Sequence, residues 1–156
     1  MDKKSPPVHQ QRILIVDDDR DVVDVMSRLL GMNGYKVITA TDGKSALEAV
    51  RNQTIDLLLL DLMMPVMDGF ETLDMLQKQA GSKGIPVIIL SAKGDKDSIV
   101  KALRSGAVDY IHKGADPEEL LARVQVHLTL QQWRQKALVE YGDMIKKEMQ
   151  DKYRIF

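Results

Sequence analysis

The sequence predicts an α/β fold, a doubly wound five-stranded parallel sheet with an extended C-terminal helix. Three observations predict it. Short apolar runs alternate five times with segments of helical periodicity. Two of those runs, Leu57–Leu60 and Val87–Leu90, are apolar at every position, as strands covered on both faces are. Four of the runs stop abruptly at a polar residue: Asp17, Asp61, Ser91 or Lys113.

The first strand is Ile13–Val16, and Val22, Val23, Met26, Leu29 and Leu30 mark the apolar stripe of the helix after it, closed by Gly31 and Gly34. Val37–Thr39 reads as the second strand, with Ala46, Leu47 and Val50 on the next helix. Leu57–Leu60 follows Asp56 and ends at Asp61. A loop with Pro65 and the Asp68-Gly69 turn then leads to a helix containing Leu73 and Leu76, broken at Gly81–Gly84. Val87–Leu90 ends at Ser91, and Ile99, Val100 and Leu103 form a fourth helix closed by Gly106. Tyr110–His112 is the fifth strand. Asp116-Pro117-Glu118-Glu119 opens the fifth helix with a capping residue, a first-turn proline and acids at the positive end of the dipole. Right-handed crossovers between parallel strands leave a doubly wound sandwich as the topology.

Composition narrows the class. The 156 residues are 44% hydrophobic and 29% charged, as in a globular domain with a surplus. Lys and Arg number 22 against 23 Asp and Glu, so net charge gives no reason to expect nucleic-acid contact. With no cysteine, disulfides and thiolate chemistry are excluded. Residues 1–11 read as a polar, disordered leader, and no window approaches the roughly 20 apolar residues of a membrane span. A cytoplasmic protein with no membrane partner is expected.

In an open parallel sheet the site lies beyond the carboxyl ends of the strands. Here that places Asp17, Asp18, Asp61, Ser91 and Lys113 together. Three carboxylates repel, so one takes up a proton unless a cation joins them. Oxygen-only ligands suit a hard cation such as Mg²⁺. A carboxylate so held is suited to attack a phosphoryl group, with the Lys ammonium and the Ser hydroxyl neutralising its oxygens.

Four segments carry a family resemblance: Ile13-Leu-Ile-Val-Asp-Asp-Asp19, Leu57-Leu-Leu-Leu-Asp-Leu-Met-Met-Pro-Val-Met-Asp-Gly69, Val87-Ile-Ile-Leu-Ser-Ala-Lys93 and Gly106-Ala-Val-Asp-Tyr-Ile-His-Lys113. In order and spacing they resemble the signature segments of response-regulator receiver domains of bacterial two-component systems, which have a flavodoxin-like (βα)5 fold. The resemblance covers roughly residues 11 to 128. It implies that Asp61 is the phosphoacceptor, and that Asp18 and Asp61 bind Mg²⁺ (or Mn²⁺) directly. Asp17 would act through water and the Met63 backbone carbonyl would supply a further oxygen. Ser91 becomes the switch hydroxyl, Lys113 the ammonium paired with the phosphoryl group, and Tyr110 the switch aromatic. Met63 and Lys93 fall at positions that tune the lifetime of the aspartyl phosphate. The implied partner is a histidine kinase or phosphotransfer protein, and the implied role is a switch rather than an enzyme acting on outside substrates. One departure is Gly114, where the family usually carries proline, often after a cis peptide. A cis non-proline bond costs about 2.5–4 kcal/mol, so a trans peptide in a looser loop is expected.

Simpler roles suit several residues. Asp19 caps the first helix, Asp68 serves the turn, and His112 and His127 are surface or packing residues. Met63, Met64 and Met67 are flexible packing. Two other functions compete with the switch. One is a Mg²⁺-dependent phosphohydrolase using an aspartate of Asp17-Asp18-Asp19 as nucleophile, which leaves Asp61 without a role. The other is a receiver-shaped interaction module independent of phosphate, which leaves the acid, hydroxyl and Lys set unexplained.

A receiver domain at 12–128 leaves residues 129–156 as a helical extension. Leu130, Trp133, Ala137, Tyr141 and Met144 recur at three- and four-residue steps, and Leu138, Ile145, Met149 and Tyr153 extend the stripe. The fifth helix is expected to continue, with an interruption at Gly142. Its apolar side needs a partner. A second copy is one candidate, joined through this helix or through the face made by the fourth helix, fifth strand and fifth helix. The receiver itself, with the helix folded back onto it, is a second candidate, and an output module beyond residue 156 is a third.

Overall fold

The computed structural model describes residues 9–64, 68–79, 84–92 and 96–152. Five strands, β1 (Arg12–Val16), β2 (Lys36–Ala40), β3 (Leu57–Asp61), β4 (Val87–Ser91) and β5 (Asp109–His112), alternate with five helices. The helices are α1 (Arg20–Met32), α2 (Gly43–Asn52), α3 (Gly69–Lys78), α4 (Lys96–Arg104) and α5 (Pro117–Lys152). All strand pairs are parallel, in the order β2-β1-β3-β4-β5. The doubly wound sheet is therefore as expected.

Strand alternation divides the core into two layers. Leu14, Val16, Leu58, Leu60, Val87 and Ile89 face one side, where Ala46, Leu47 and Val50 of α2, Leu73 and Leu76 of α3 and Ala102 of α4 cover them. Ile13, Ile15, Leu57, Leu59, Ile88, Leu90 and Ile111 face the other, under Met26 and Leu30 of α1 and Leu120, Val124 and Leu128 of α5. Burial on both faces is why β3 is apolar up to Asp61.

Aspartates start three helices. The side chains of Asp19, Asp42 and Asp68 accept backbone N–H groups of the first turns of α1, α2 and α3. Gly69 has a further reason to be glycine, because a Cβ there would sit 2.5 Å from the Asp61 carbonyl oxygen and from Leu62 Cα. Its N–H donates to the Leu62 carbonyl at 3.0 Å, folding the start of α3 onto the end of β3.

Three expectations need correction. Gly31 does not close α1 but lies inside it, and the left-handed turn falls at Gly34 (φ 90°). Gly142 does not interrupt α5, which runs unbroken to Lys152. An exposed glycine costs about 1 kcal/mol of helix propensity and removes no backbone hydrogen bond, so the flanking turns carry the helix through it. Met63 is exposed rather than packed, whereas Met64 is buried. Lys93, Pro65, Met67, Gly81 and Tyr153 lie outside the described residues, as do residues 1–8 of the leader. Gln10, at its described end, donates its side-chain amide to the Gly34 carbonyl at 3.2 Å. No helix among the described residues is long and apolar enough to cross a membrane.

Candidate functional site

The chain leaves β1 for β2 on one side and returns to β3 on the other. Crossovers that diverge in this way open a crevice at the carboxyl ends of β1 and β3. Asp17 and Asp18 follow directly on β1, and Asp61 is the last residue of β3. One carboxylate oxygen from each lies within 4.8 Å of the others. Asp17 and Asp61 are buried, at 0% and 2% exposure, while Asp18 is open to solvent.

Lys113 reaches in from the end of β5 and bridges the two buried acids. Its Nζ lies 2.8 Å from Asp17 Oδ2 and 3.1 Å from Asp61 Oδ2. The other oxygens are held by backbone amides: Asp17 Oδ1 accepts the Asp19 N–H at 2.9 Å, and Asp61 Oδ1 accepts the Met63 N–H at 3.0 Å. Each acid is thus fixed by one charge and one peptide dipole.

The electrostatics follow from burial. Desolvation pushes the Asp61 carboxyl above its ordinary range; the Met63 amide opposes this, the Asp17 charge reinforces it and Lys113 again opposes it. For Lys113, burial pulls the ammonium down, but Asp17 and Asp61 outweigh it and the net shift is upward. Lys113 therefore stays charged. Three carboxylates face one ammonium, an excess of two negative charges when all are ionised.

That excess, with oxygen as the only donor type, fits a hard cation. The spacing supports the fit as well, since one oxygen of each of the three acids lies within 4.8 Å of the others, close enough to share one ion. Asp18 leaves the crevice accessible from solvent.

The remaining candidates sit around this centre. Ser91 ends β4, half-buried, and its carbonyl accepts the Lys113 N–H at 2.8 Å. Met63 lies two residues beyond Asp61 with its side chain in solvent. Tyr110 is 41% exposed on β5 and is not packed into the crevice. The described peptides, Lys113–Gly114 included, are trans. The loop after Lys113 is not loose, however. The Gly114 N–H donates to His112 Nδ1 at 3.0 Å and the Ala115 N–H to the His112 carbonyl at 2.9 Å.

Sequence reading missed one network. Asp109, which opens β5, accepts two contacts of 3.0 Å from Arg123 Nη1 and one of 2.9 Å from His127 Nε2. Arg123 and His127 stand one helical turn apart on α5, a spacing that gives them a shared face but does not point to Asp109. Burial alone would raise the Asp109 carboxyl, but the bonds from His127, the Tyr110 amide and Arg123 hold it below the usual range. A carboxyl so lowered adds stability above its unfolded value, and that stability is lost as pH falls through the folded value. Arg123→Ala is expected to lower stability by about 0.5–1 kcal/mol at neutral pH, since the guanidinium is partly solvated. The deficit shrinks in acid, as urea unfolding at several pH values will show.

Fold and site together define a receiver-type signalling domain. The chain belongs to the response regulator receiver domain family, whose model matches residues 13–125. It is 38% identical to the DNA-binding response regulator MtrA of Mycolicibacterium smegmatis over 135 residues, 86% of this chain and 58% of that protein. It is 41% identical to the transcriptional regulatory protein CpxR of Escherichia coli K12 over 125 residues, 80% of this chain and 52% of that one. The CheY-like receiver domain protein of Methanospirillum hungatei has the same fold, with a TM-score of 0.75 and 31% identity over 80% of this chain and 98% of its own. The chain thus spans about half the length of the curated relatives it matches. The family serves two-component signalling as a phosphoacceptor switch.

Proposed function

We propose that Asp61 accepts a phosphoryl group from a histidine kinase or phosphotransfer protein, with Mg²⁺ (or Mn²⁺) bound by Asp17, Asp18, Asp61 and the Met63 backbone carbonyl. The observation that carries this reading is the Lys113 ammonium, held between buried Asp61 and buried Asp17. An Asp61 oxygen attacks phosphorus in line, the phosphorus–nitrogen bond of phosphohistidine breaks and the imidazole leaves. Lys113 then exchanges its contact with Asp61 for a phosphoryl oxygen, and Asp17 keeps it in place. The cation, when bound, supplies charge neutralisation at the carboxylates and the transferred group. Ser91 donates its hydroxyl to another phosphoryl oxygen, and Tyr110, exposed beforehand, turns inward. The face formed by α4, β5 and α5 changes its partner preference as a result.

The receiver proper takes residues 12–128 and the extension residues 129–156. From Gln132 to Lys152 every residue is exposed, Trp133, Leu138, Tyr141, Ile145 and Met149 among them. That apolar surface supports pairing with a second copy or docking of an output module joined beyond residue 156. The phosphohydrolase reading gives Asp61 and its ion pair no role. The phosphate-independent module draws its support from Gly114 alone and leaves the ion-paired acids and Lys113 without a role.

Intact-mass measurement after incubation with acetyl phosphate tests the chemistry. One Mg²⁺-dependent phosphoryl adduct is expected on the wild type and none on Asp61→Asn. An adduct retained by the Asn variant, or none on either protein, overturns the assignment of Asp61.

A further inference from the structure

Lys113 must hold its ammonium between two carboxylates while its backbone sits at the mouth of a loop. Its own N–H is anchored to the Ser91 carbonyl at 2.8 Å, which ties it to β4. The next three residues have no proline to stiffen them, and Gly114 has the widest backbone freedom of any residue. What restrains them is His112. Its carbonyl accepts the Ala115 N–H at 2.9 Å, closing a four-residue turn with Lys113 at the second position. Its ring Nδ1 accepts the Gly114 N–H at 3.0 Å.

An acceptor on the first residue of a turn bonding the N–H two residues on is the geometry of an Asx turn, usually made by Asp or Asn. Histidine supplies it here with a ring nitrogen. The bond requires an unprotonated Nδ1, so the neutral ring carries its proton on Nε2. The glycine takes part as well. A Cβ on Gly114 would stand 3.2 Å from His112 Cε1 and from Nδ1, so the ring lies against a position where any side chain crowds it. His112 is exposed.

We propose that His112 is a positioning residue for phosphoryl transfer: its ring staples the Gly114 amide and fixes the turn from which Lys113 projects. The inference rests on the assignment of Asp61 and Lys113 above, and it goes further by naming the side chain that sets the ammonium's position. It also accounts for the pairing of His112 with Gly114, since the staple needs both an acceptor ring and an N–H that proline lacks.

The test compares wild type, His112→Ala, His112→Asn and the double variant His112→Ala/Gly114→Ala. The readouts are the initial rate of Asp61 phosphorylation by acetyl phosphate at saturating Mg²⁺ and, separately, Mg²⁺ affinity by calorimetry. Asparagine places Oδ1 where Nδ1 stands and restores the staple. One hydrogen bond of ordinary worth corresponds to about a three- to tenfold change in rate. His112→Ala is expected to slow phosphorylation by that factor with Mg²⁺ affinity unchanged, while His112→Asn stays within about twofold of wild type. The double variant should be no slower than His112→Ala, because the alanine at 114 then meets no ring. Equal rates for wild type and His112→Ala overturn the proposal, as does a His112→Asn variant as slow as His112→Ala. A wild type that takes no phosphoryl group fails earlier, at Asp61, and removes the ground for both readings.

Discussion

Replacing Lys113 with methionine is expected to lower the stability of the metal-free protein by about 3–5 kcal/mol, the largest effect predicted for any single residue here. Methionine keeps the length of the side chain and removes the charge. Asp17 and Asp61 then face each other with no cation between them, both buried. Removing one partner of a buried ion pair costs more than the pair itself contributes, because an uncompensated charge remains. For a chain of this size each kcal/mol corresponds to about 2–4 °C, so the melting temperature should fall by roughly 10 °C. The pH dependence separates this mechanism from lost packing. The Lys113 ammonium is raised in the folded state, so its stabilisation is complete below the unfolded Lys value and is lost only as pH rises through the folded one. In the methionine variant the deficit should shrink as pH falls and an acid takes up a proton. A deficit independent of pH would point to packing instead.

The same ion pairs show where sequence reading succeeds and where it stops. The sheet was legible because Leu57–Leu60 and Val87–Leu90 carry no polar residue, and only a strand covered on both faces tolerates that. The site was legible because strand ends in such a sheet converge, so Asp17, Asp61 and Lys113 could be brought together without coordinates. The depth of each acid could not be foreseen. Asp17 and Asp18 are neighbours of identical chemistry beyond the end of β1, yet one is buried and the other open to solvent. Nor was the Asp109–Arg123–His127 network legible. It depends on how far α5 lies from the start of β5, a packing distance that periodicity does not encode. For His112 a surface or packing role is all that the sequence suggests, and the residue is exposed. Its bond to Gly114 depends on a turn conformation that spacing alone does not specify.

Gly142 marks a different limit. Local propensity argued for a break, and the helix continues over 36 residues from Pro117. The first turns of α5 are secured by Leu120, Val124 and Leu128 in the core. Propagation then adds one hydrogen bond per residue to a helix already nucleated, so a single glycine does not end it. The exposed apolar residues beyond Gln131 lie outside this core, so they do not hold α5 to the sheet.

Asp61→Asn is expected to stabilise the metal-free protein while abolishing phosphoryl uptake. Burial and the Asp17 charge hold the Asp61 carboxyl above its ordinary range. A carboxyl raised in the folded state makes stability fall as pH climbs from the unfolded value to the folded one, because the unfolded chain gives up its proton first. Above the folded value the penalty is constant. Asparagine carries no charge and escapes it, so the variant should melt above the wild type at neutral pH. The lead should vanish in acid, where the wild-type carboxyl is protonated too. Mg²⁺ is expected to reverse the order. A ligand that binds only the folded state at a hundred times its dissociation constant adds about 2.7 kcal/mol, roughly 5–10 °C in melting temperature. The wild type should gain this in full and the variant, short of one carboxylate ligand, only in part. Melting curves of both proteins at several pH values, with and without Mg²⁺, give all four stabilities. If the wild type is the more stable without metal at neutral pH, the contact of Asp61 with Lys113 outweighs the cost of burying a second acid beside Asp17. If the order reverses on adding Mg²⁺, the strain among the carboxylates is what the cation relieves.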